Sequence, residues 1–527
     1  MPSSLGNPIG QALDGENNAI QFDTAYPIHG SLTSAVAELR QIHGRDIYLL
    51  PMSGTSCGGG IFQAPGPSHP PGTVIGLRFD PPATPRVTLD SVPNLAELEL
   101  DQIAIDVPNQ QVAVGAAITL GQLSQTLAQQ LGHNFKVPGA DLTSYLYAAV
   151  GATFMTGGMG PQRRYFSDSV VEAAIFDGDA TRGVIGEALQ GYAGSYGWSG
   201  IVTAVRCTYY RFPDNEVAFA LPVSNHPDDI ARLLERLSAY CYLELDRSGA
   251  RSTANRYDLI LGLEHVSTSS MRPLLRAVGK NPMAGRAQDL QQKCDAANAD
   301  GLIFVNGFSQ RSIDEFLTNL CDEHQADEFS IAGVALEHAE VFADPEEMRA
   351  LREAIPYEAR MQTPGGRLVY KNHSDANIRV RADAVFRSVQ RIWQINRNYV
   401  DTVEGYFDAN PDIDGEILVY GHLNPYGIDP HNRVTMNSDD EAAFGRAREF
   451  LVKQRARYYR DLDTLCRAGD AVFIGGEKAA DSEIAIFQAL GGPDKSPPAL
   501  FRRFKRQQAT IGAAAVMLNW RALAPYR

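Results

Sequence analysis

The sequence predicts an α+β fold in two parts, on three observations. Residues 30 to 213 alternate short strand-like runs with helical spacing and carry three glycine-rich loops. From residue 214 onward, strand-like runs alternate with longer amphipathic helices. No internal repeat, low-complexity tract or membrane-spanning apolar run interrupts either part.

The elements follow in order. Residues 1 to 30 read as a polar lead-in. "SLTSAVAELRQIHG" has helical spacing, with Val36, Leu39 and Ile42 on one face. "DIYLLP" and "PGTVIGLRFD" read as strands. In "IAIDVPNQQVAVGAAITLGQLSQTLAQQLG" the alternation at Val112 and Val114 is β-like, and Leu120, Leu123 and Leu127 repeat at helical spacing. "SGIVTAVRCTYYRF" is a strand ended by Pro213. In the second part, Pro227 with Asp228 and Asp229 opens a helix. "YDLILGLE", "GLIFVNGF" and "EFSIAGVALEHAEVF" follow as strand-like segments. "AVFRSVQRIWQINRNYVDTVEGYF" is a long amphipathic helix, and "EILVYGHLNP" a buried strand ending in a polar turn. The seams fall near 214–226 and 361–376, and the basic tail is partly helical.

The bulk properties narrow the function. A chain of 527 residues is long enough for two or three domains. Its 47 basic against 62 acidic residues give a net charge of −15, which argues against broad nucleic-acid or anionic-membrane binding. Cys57, Cys207, Cys241, Cys294, Cys321 and Cys466 are scattered, without CxxC or zinc-finger spacing, as suits a reducing compartment. The first twenty residues have neither a basic nor an apolar region of signal-peptide type. A cytoplasmic enzyme is the expectation.

The chemistry starts at "LLPMSGTSCGGG", Leu49 to Gly60. Glycine lacks Cβ and lets backbone N–H groups approach a phosphate, and the hydroxyls of Ser53, Thr55 and Ser56 add donors. No Gly-Lys-Ser/Thr ends the loop, so it is not a Walker A loop; nor is it a GxGxxG opening a helix. Alone it reads equally as a surface glycine turn. Two further regions change this: Val137 to Gly178, with Pro138-Gly139, Val150-Gly151, Gly157, Gly158 and Gly160, and "YAGSYGWSGIVTAV", with Gly194, Gly197 and Gly200. Three Gly/Ser/Thr loops in one α+β block suit an elongated phosphate-bearing ligand such as a dinucleotide.

The order of these motifs resembles the FAD-binding domain of the vanillyl-alcohol oxidase / p-cresol methylhydroxylase superfamily. The resemblance rests on Pro51 with Gly54-Thr55-Ser56, Pro138-Gly139 with Val150-Gly151, Asp168-x-Val170 with Asp177-Gly178, and, most specifically, Gly194-Ser195-Tyr196-Gly197-Trp198-Ser199-Gly200-Ile201-Val202-Thr203. It implies an FAD domain of two α/β subdomains at 1–213, an α+β substrate domain at 214–490, and a segment at 491–527 that packs back on the FAD domain. It further implies that Pro51, Met52, Ser53, Gly54, Thr55, Ser56, Cys57 and Gly58 hold the pyrophosphate. Pro138, Gly139, Ala140, Thr143, Val150, Gly151, Thr156, Gly157, Gly158 and Gly160 would line the flavin and ADP portion, with the backbone of Gly200, Ile201 and Val202 against the cofactor. Many family members bind the flavin covalently through a His in the first loop. Thr55, Ser56 or Cys57 fills that slot here, so noncovalent FAD is expected, with Cys57 the one residue that could form a link.

The second part resembles the C-terminal domain of FAD-linked 2-hydroxy-acid dehydrogenases. "LREAIPYEAR", "VYKNHSDANIRV", "VYGHLNPYGIDPHNRVTM" and "FIGGEKA" stand in that family's order, each degraded. The resemblance implies a divalent metal, zinc or manganese, on His422, His431 and Glu477, beside the hydroxy acid. Two departures stand against it: the histidines are nine residues apart rather than seven, and Lys478 replaces the family's catalytic His. A metal-free site with the same histidines is the alternative.

Oxidation of an alcohol needs a base for the hydroxyl proton and a cation for any carboxylate. His422 is the first candidate base and His431 the second; Arg352, Lys371 and Arg433 are candidate cations; Tyr420 and Tyr426 flank His422 and suit a phenol or alcohol oxygen. The expected function is FAD-dependent oxidation of a hydroxyl-bearing small molecule, a 2-hydroxy acid first. The alternatives are a phenol, sugar or other alcohol oxidase and a non-catalytic flavin carrier. The expected partners are a small-molecule substrate, an electron acceptor (O2, a quinone or a protein) and a second copy of the chain, with neither nucleic acid nor a transmembrane anchor.

Overall fold

In the computed structural model the described residues are 4–12, 22–44, 47–52, 73–137, 148–156, 158, 166–193, 200–211, 217–240, 260–307, 338–342, 344–361, 368–375, 377–380, 384–424, 427–467 and 471–475. They alternate helices and sheets, and the chain is α+β.

A parallel sheet joins β1 (Thr24–Pro27), β2 (Ile47–Met52) and β3 (Thr73–Arg78) in the order β1-β3-β2. Between β1 and β2 runs α1 (Leu32–His43), capped by the Ser31 side chain. Val36 and Leu39 are buried as the spacing predicts, but Ile42 is 57% exposed. It lies in the last turn, ahead of the Gly44 cap, past the core-facing stripe.

A six-stranded sheet follows, built from β4 (Arg86–Thr88), β5 (Gln102–Asp106), β6 (Gln111–Gly115), β8 (Val170–Phe176), β9 (Thr181–Ile185) and β10 (Ile201–Thr208) in the order β4-β5-β6-β10-β8-β9. A short pair, β7 (Phe135–Lys136) with β11 (Tyr210–Arg211), lies beside it. Val112, Ala113 and Val114 are all buried, because β6 is an inner strand covered on both faces. α2 (Leu120–Leu131) opens with a Thr119–Gln122 capping box, buries Leu120, Leu123 and Leu127, and ends at Gly132 in the left-handed region (φ 74°). α3 (Val150–Thr156) and the short α4 (Leu189–Tyr192) complete this half.

All described strands from residue 217 onward enter a single nine-stranded sheet. They are β12 (Val217–Val223), β13 (Ile260–Ser267), β14 (Gly301–Gly307), β15 (Glu340–Phe342), β16 (Leu368–Asp375), β17 (Asn377–Val380), β18 (Asp414–Asn424), β19 (Gly427–Ser438) and β20 (Ala471–Gly475). The order is β15-β12-β14-β13-β18-β19-β17-β20, with β16 also on β19. One face packs on α5 (Pro227–Tyr240), α9 (Val385–Ala409) and α10 (Glu441–Arg467) through residues such as Leu233, Ile392, Leu451, Leu423 and Met436. The other packs, over β12 to β14, on α6 (Arg272–Arg276), α7 (Ala284–Ala297) and α8 (Pro345–Met361) through Leu274, Leu290, Leu351 and Phe304. Each such apolar side chain contributes about 1.5–3 kcal/mol of transfer free energy.

Two sequence expectations change here. The seam expected at 361–376 contains β16, whose eight residues pair with β19, so it is sheet rather than linker. The strand read over "EILVYGHLNP" is β18, which runs on to Asn424 and pairs with β19 over eleven positions, so His422, expected on a polar turn, lies within the strand. Polar residues at every second position are what a strand with one polar face looks like, and they read as a turn when the period is missed. Among the described residues no helix is long and apolar enough to cross a membrane.

Candidate active site and cofactor cradle

The hairpin of β18 and β19 sorts its residues by parity. Ile417, Leu423, Ile428, Val434 and Met436 point into the core on the α9 and α10 side. Tyr420, His422, Asp429, His431 and Arg433 occupy the opposite face, since Tyr420 is the register partner of His431 and His422 that of Asp429. All five are buried.

Their geometry is close. The Tyr420 and His431 rings stack with centroids 5.3 Å apart and planes 6° apart. The His422 ring stands edge-on to His431 at 5.1 Å and 82°. Asp429 Oδ2 lies 3.1 Å from His431 Nε2, both side chains at 1% exposure or less. The Tyr420 hydroxyl is buried without a hydrogen-bond partner among the described residues. Two devices hold the hairpin. A Cβ on Gly421 would strike the Asp429 carbonyl and approach Pro430 Cα to 3.1 Å, so only glycine lets the strands close there. The buried Ser270 hydroxyl donates to the Val419 carbonyl at 2.7 Å and accepts from the Val419 N–H at 2.6 Å, fixing the residue before Tyr420.

The sequence-predicted cations fare differently. Arg433 is fully buried, two residues from His431 on the same face. Arg352, on α8, is ion-paired with Glu264, and both are buried. Glu264 is the register partner of His422, so this pair borders the site. Arg352 is therefore committed to a protein carboxylate rather than presented as a substrate clamp. Pro356 within α8 has no N–H to give the Arg352 carbonyl, which breaks the helix ladder at that turn. Lys371 pairs in register with Thr435, four residues along β19 from His431, about 13 Å at strand rise, and so stands apart from the histidines. Sequence reasoning missed Asp429 and Glu264. Asp429 sits two residues before His431, a spacing that becomes informative once the segment is read as strand; Glu264 is distant in sequence and left no signal.

The metal expectation gains no support. Among the described residues no group of three or more His, Cys, Asp or Glu side chains is placed to hold a metal ion. His431 faces Asp429 across 3.1 Å and His422 faces the His431 ring edge-on, while Glu477 and Tyr426 lie outside the described residues.

For the cofactor, the described residues include part of the expected cradle. β2 ends at Met52, so the glycine loop leaves from the carboxyl edge of a parallel sheet, where phosphate ligands bind in α/β proteins. Ser53, Gly54, Thr55, Ser56, Cys57 and Gly58 lie outside the described residues, as do Pro138, Gly139, Ala140, Thr143, Gly157 and Gly160. Val150, Gly151 and Val202 are brought together. The Gly151 N–H donates to the Ala116 carbonyl (3.1 Å) and the Ala116 N–H to the Thr203 carbonyl (2.8 Å). A Cβ on Gly151 would meet Ala116 Cβ at 2.6 Å and Val202 Cγ1 at 3.1 Å, so α3 lies directly on β6 and β10. The register of β10 against β8 shifts between Val202 and Ala204, a bulge beside Ile201 and Val202. Thr156 closes α3 by donating to the Ala152 carbonyl at 2.9 Å, and the Gly158 N–H donates to the Thr153 carbonyl at 2.9 Å. Among the described residues of the expected cradle, Val150, Ile201 and Val202 are buried apolar residues beside Gly151.

No protein-family model matches the sequence, and no curated protein does. Solved structures do. Alkyldihydroxyacetonephosphate synthase, in two crystal forms, superposes with TM-scores of 0.57 and 0.55 at 12% and 13% identity, over 84% and 85% of this chain and 72% and 76% of those chains. 4-Ethylphenol oxidase from Gulosibacter chungangensis, in its isoeugenol complex, superposes with a TM-score of 0.56 at 12% identity, over 95% of this chain and 90% of that one. This chain shares the fold of alkyldihydroxyacetonephosphate synthase and 4-ethylphenol oxidase. The sheet order and hairpin described above are thus this fold as built by this sequence.

Proposed function

We propose that the protein is an FAD-dependent oxidoreductase that oxidises a small hydroxyl-bearing molecule, and that the substrate is phenolic. The observation that carries this is the buried hairpin face, where Tyr420, His422, Asp429, His431 and Arg433 converge. Residues 1–213 would hold the cofactor, 214–490 would supply the substrate face, and 491–527 would pack back on the first part. The FAD would lie along Pro51–Gly58, Pro138–Gly160 and Gly200–Val202, noncovalently. When bound, FAD supplies the hydride acceptor.

The chain's own residues do the rest. A histidine of the His422–His431 pair takes the hydroxyl proton as general base. Arg433 holds the substrate's anionic oxygen by charge-assisted hydrogen bonding. The Tyr420 hydroxyl, lacking a partner among the described residues, is a donor or acceptor for the same substrate. Burial excludes water and strengthens each of these interactions. The near full-length likeness to 4-ethylphenol oxidase and the aromatic Tyr420–His431 stack favour a phenol. A 2-hydroxy acid is the second reading, favoured by buried Arg433 as a carboxylate anchor with Lys371 along the same sheet face.

Anaerobic addition of 4-ethylphenol, vanillyl alcohol, lactate, glycolate or 2-hydroxyglutarate to the purified protein tests this. Bleaching of the flavin band by the phenols is expected. Bleaching by the acids alone would select the second reading, and bleaching by no compound would count against the oxidase assignment.

A further inference from the structure

We propose that Ser270 is a positioning residue: its hydroxyl completes the sheet beside Val419 and so sets where Tyr420 stands. The inference rests on the reading of the hairpin face as the substrate site.

β13 pairs with β18 at four positions, from Leu263 with Leu423 to Val266 with Tyr420, and the pairing stops there. The next pair in that register would be Ser267 with Val419. Instead the chain leaves β13 for a 3-10 turn, Thr268–Met271, which brings Ser270 against β18. The Ser270 hydroxyl donates to the Val419 carbonyl at 2.7 Å and accepts from the Val419 N–H at 2.6 Å. One oxygen thus does what a neighbouring strand does with an N–H and a carbonyl. Ser270 is 0% exposed, so these groups are shielded from bulk water. Removing the hydroxyl would orphan two buried backbone groups at once.

Peptide planarity carries this to Tyr420. The Val419 carbonyl and the Tyr420 N–H belong to one rigid peptide unit, so holding the carbonyl holds the plane from which the Tyr420 side chain departs. The ring then lies parallel to His431, with planes 6° apart and centroids at 5.3 Å. Its hydroxyl has no hydrogen-bond partner among the described residues, so no such bond at the far end of the ring corrects an error made at its root. A misplacement of about 1 Å at a reacting centre can cost about a hundredfold in rate. Ser270 therefore acts on the substrate contact of Tyr420 through the backbone rather than by touching the substrate.

The test uses the protein as purified, labelled with 3-fluorotyrosine. The Tyr420 fluorine signal is identified by its loss in Tyr420→Phe. Ser270→Ala should move that signal, while Ser269→Ala, which removes a hydroxyl from the same turn, should leave it in place. In anaerobic flavin reduction by a phenol that bleaches the wild type, Ser270→Ala should slow the limiting rate about tenfold, but less than about twofold in the Tyr420→Phe background, a coupling of the size found between residues that act together. A merely structural loss would lower both backgrounds alike. An unmoved Tyr420 signal in Ser270→Ala would overturn the inference, as would equal losses in the two backgrounds. Should Ser270→Ala fail to fold, Ser270→Cys, with its weak S–H donor, takes its place in both measurements with the same expected directions. If no compound reduces the wild-type flavin, the functional reading falls, while the fluorine spectrum still tests the link between Ser270 and Tyr420.

Discussion

The two faces of the β18–β19 hairpin are made from one stretch of chain and have opposite chemistry. One face carries Leu423, Ile428, Val434 and Met436 into a core shared with three helices. The other buries Tyr420, His422, Asp429, His431 and Arg433. Burying apolar groups stabilises the fold, whereas burying charges costs free energy unless they are paired. The apolar face offsets the cost of the desolvated polar surface on its reverse.

The largest expected effect comes from unbalancing the charges beside that surface. Arg352→Ala leaves Glu264 buried without its cation and should cost about 3–5 kcal/mol in urea unfolding. Pairing it with Glu264→Gln should return most of that loss; a double variant as unstable as the single one would contradict the pairing. Next, Leu423→Ala on the apolar face should cost about 2–5 kcal/mol while leaving the flavin bleaching specificity unchanged. A changed specificity would mean that the two faces are not separable.

A third prediction sharpens the contrast through pH. His265 lies on the apolar side, edge-on to Trp393 at 4.7 Å, with Nε2 2.5 Å from Asn225 Oδ1. Burial lowers its pKa from 6.5 to about 3. As pH falls below 6.5 the unfolded chain binds a proton that the folded protein refuses until about 3. Stability from this group is therefore complete above the unfolded value and falls with pH in that window, by up to about 1.4 kcal/mol per pH unit. Urea titrations between neutral and mildly acid pH should show a shallower slope in His265→Gln than in wild type; equal slopes would contradict the assignment. The smallest stability effect belongs to Tyr420→Phe. Its hydroxyl has no hydrogen-bond partner among the described residues, so Tm should hardly move while substrate-driven flavin reduction slows. A large Tm loss with unchanged reduction would remove Tyr420 from the substrate site.

Part of this organisation is legible in the sequence. Val36 and Leu39, or Leu120, Leu123 and Leu127, announce their helices because period and burial agree. The sequence places its first glycine loop directly after a strand, and β2 does end at Met52, ahead of that loop. The hairpin was harder: "HLNPYGIDPHNRV" contains two prolines, two asparagines and a glycine, all turn residues, and its period of two is hidden because the inward positions include Pro430 and Asn432. Arg352 as a substrate cation and a metal on His422 and His431 both came from local motifs. Glu264 and Asp429, which stand against Arg352 and His431, are supplied by tertiary pairing and by strand parity. The long helix α10 went unread because its apolar residues are spaced among many charges, and only packing reveals which stripe is buried.

The measurement that bears most directly on the whole account is FAD content. Acid or heat treatment of the purified yellow protein should release FAD equimolar with the chain and leave a colourless precipitate. Colourless protein from which no FAD is released, even after growth with excess riboflavin, would contradict the cofactor assignment and the oxidation chemistry that depends on it.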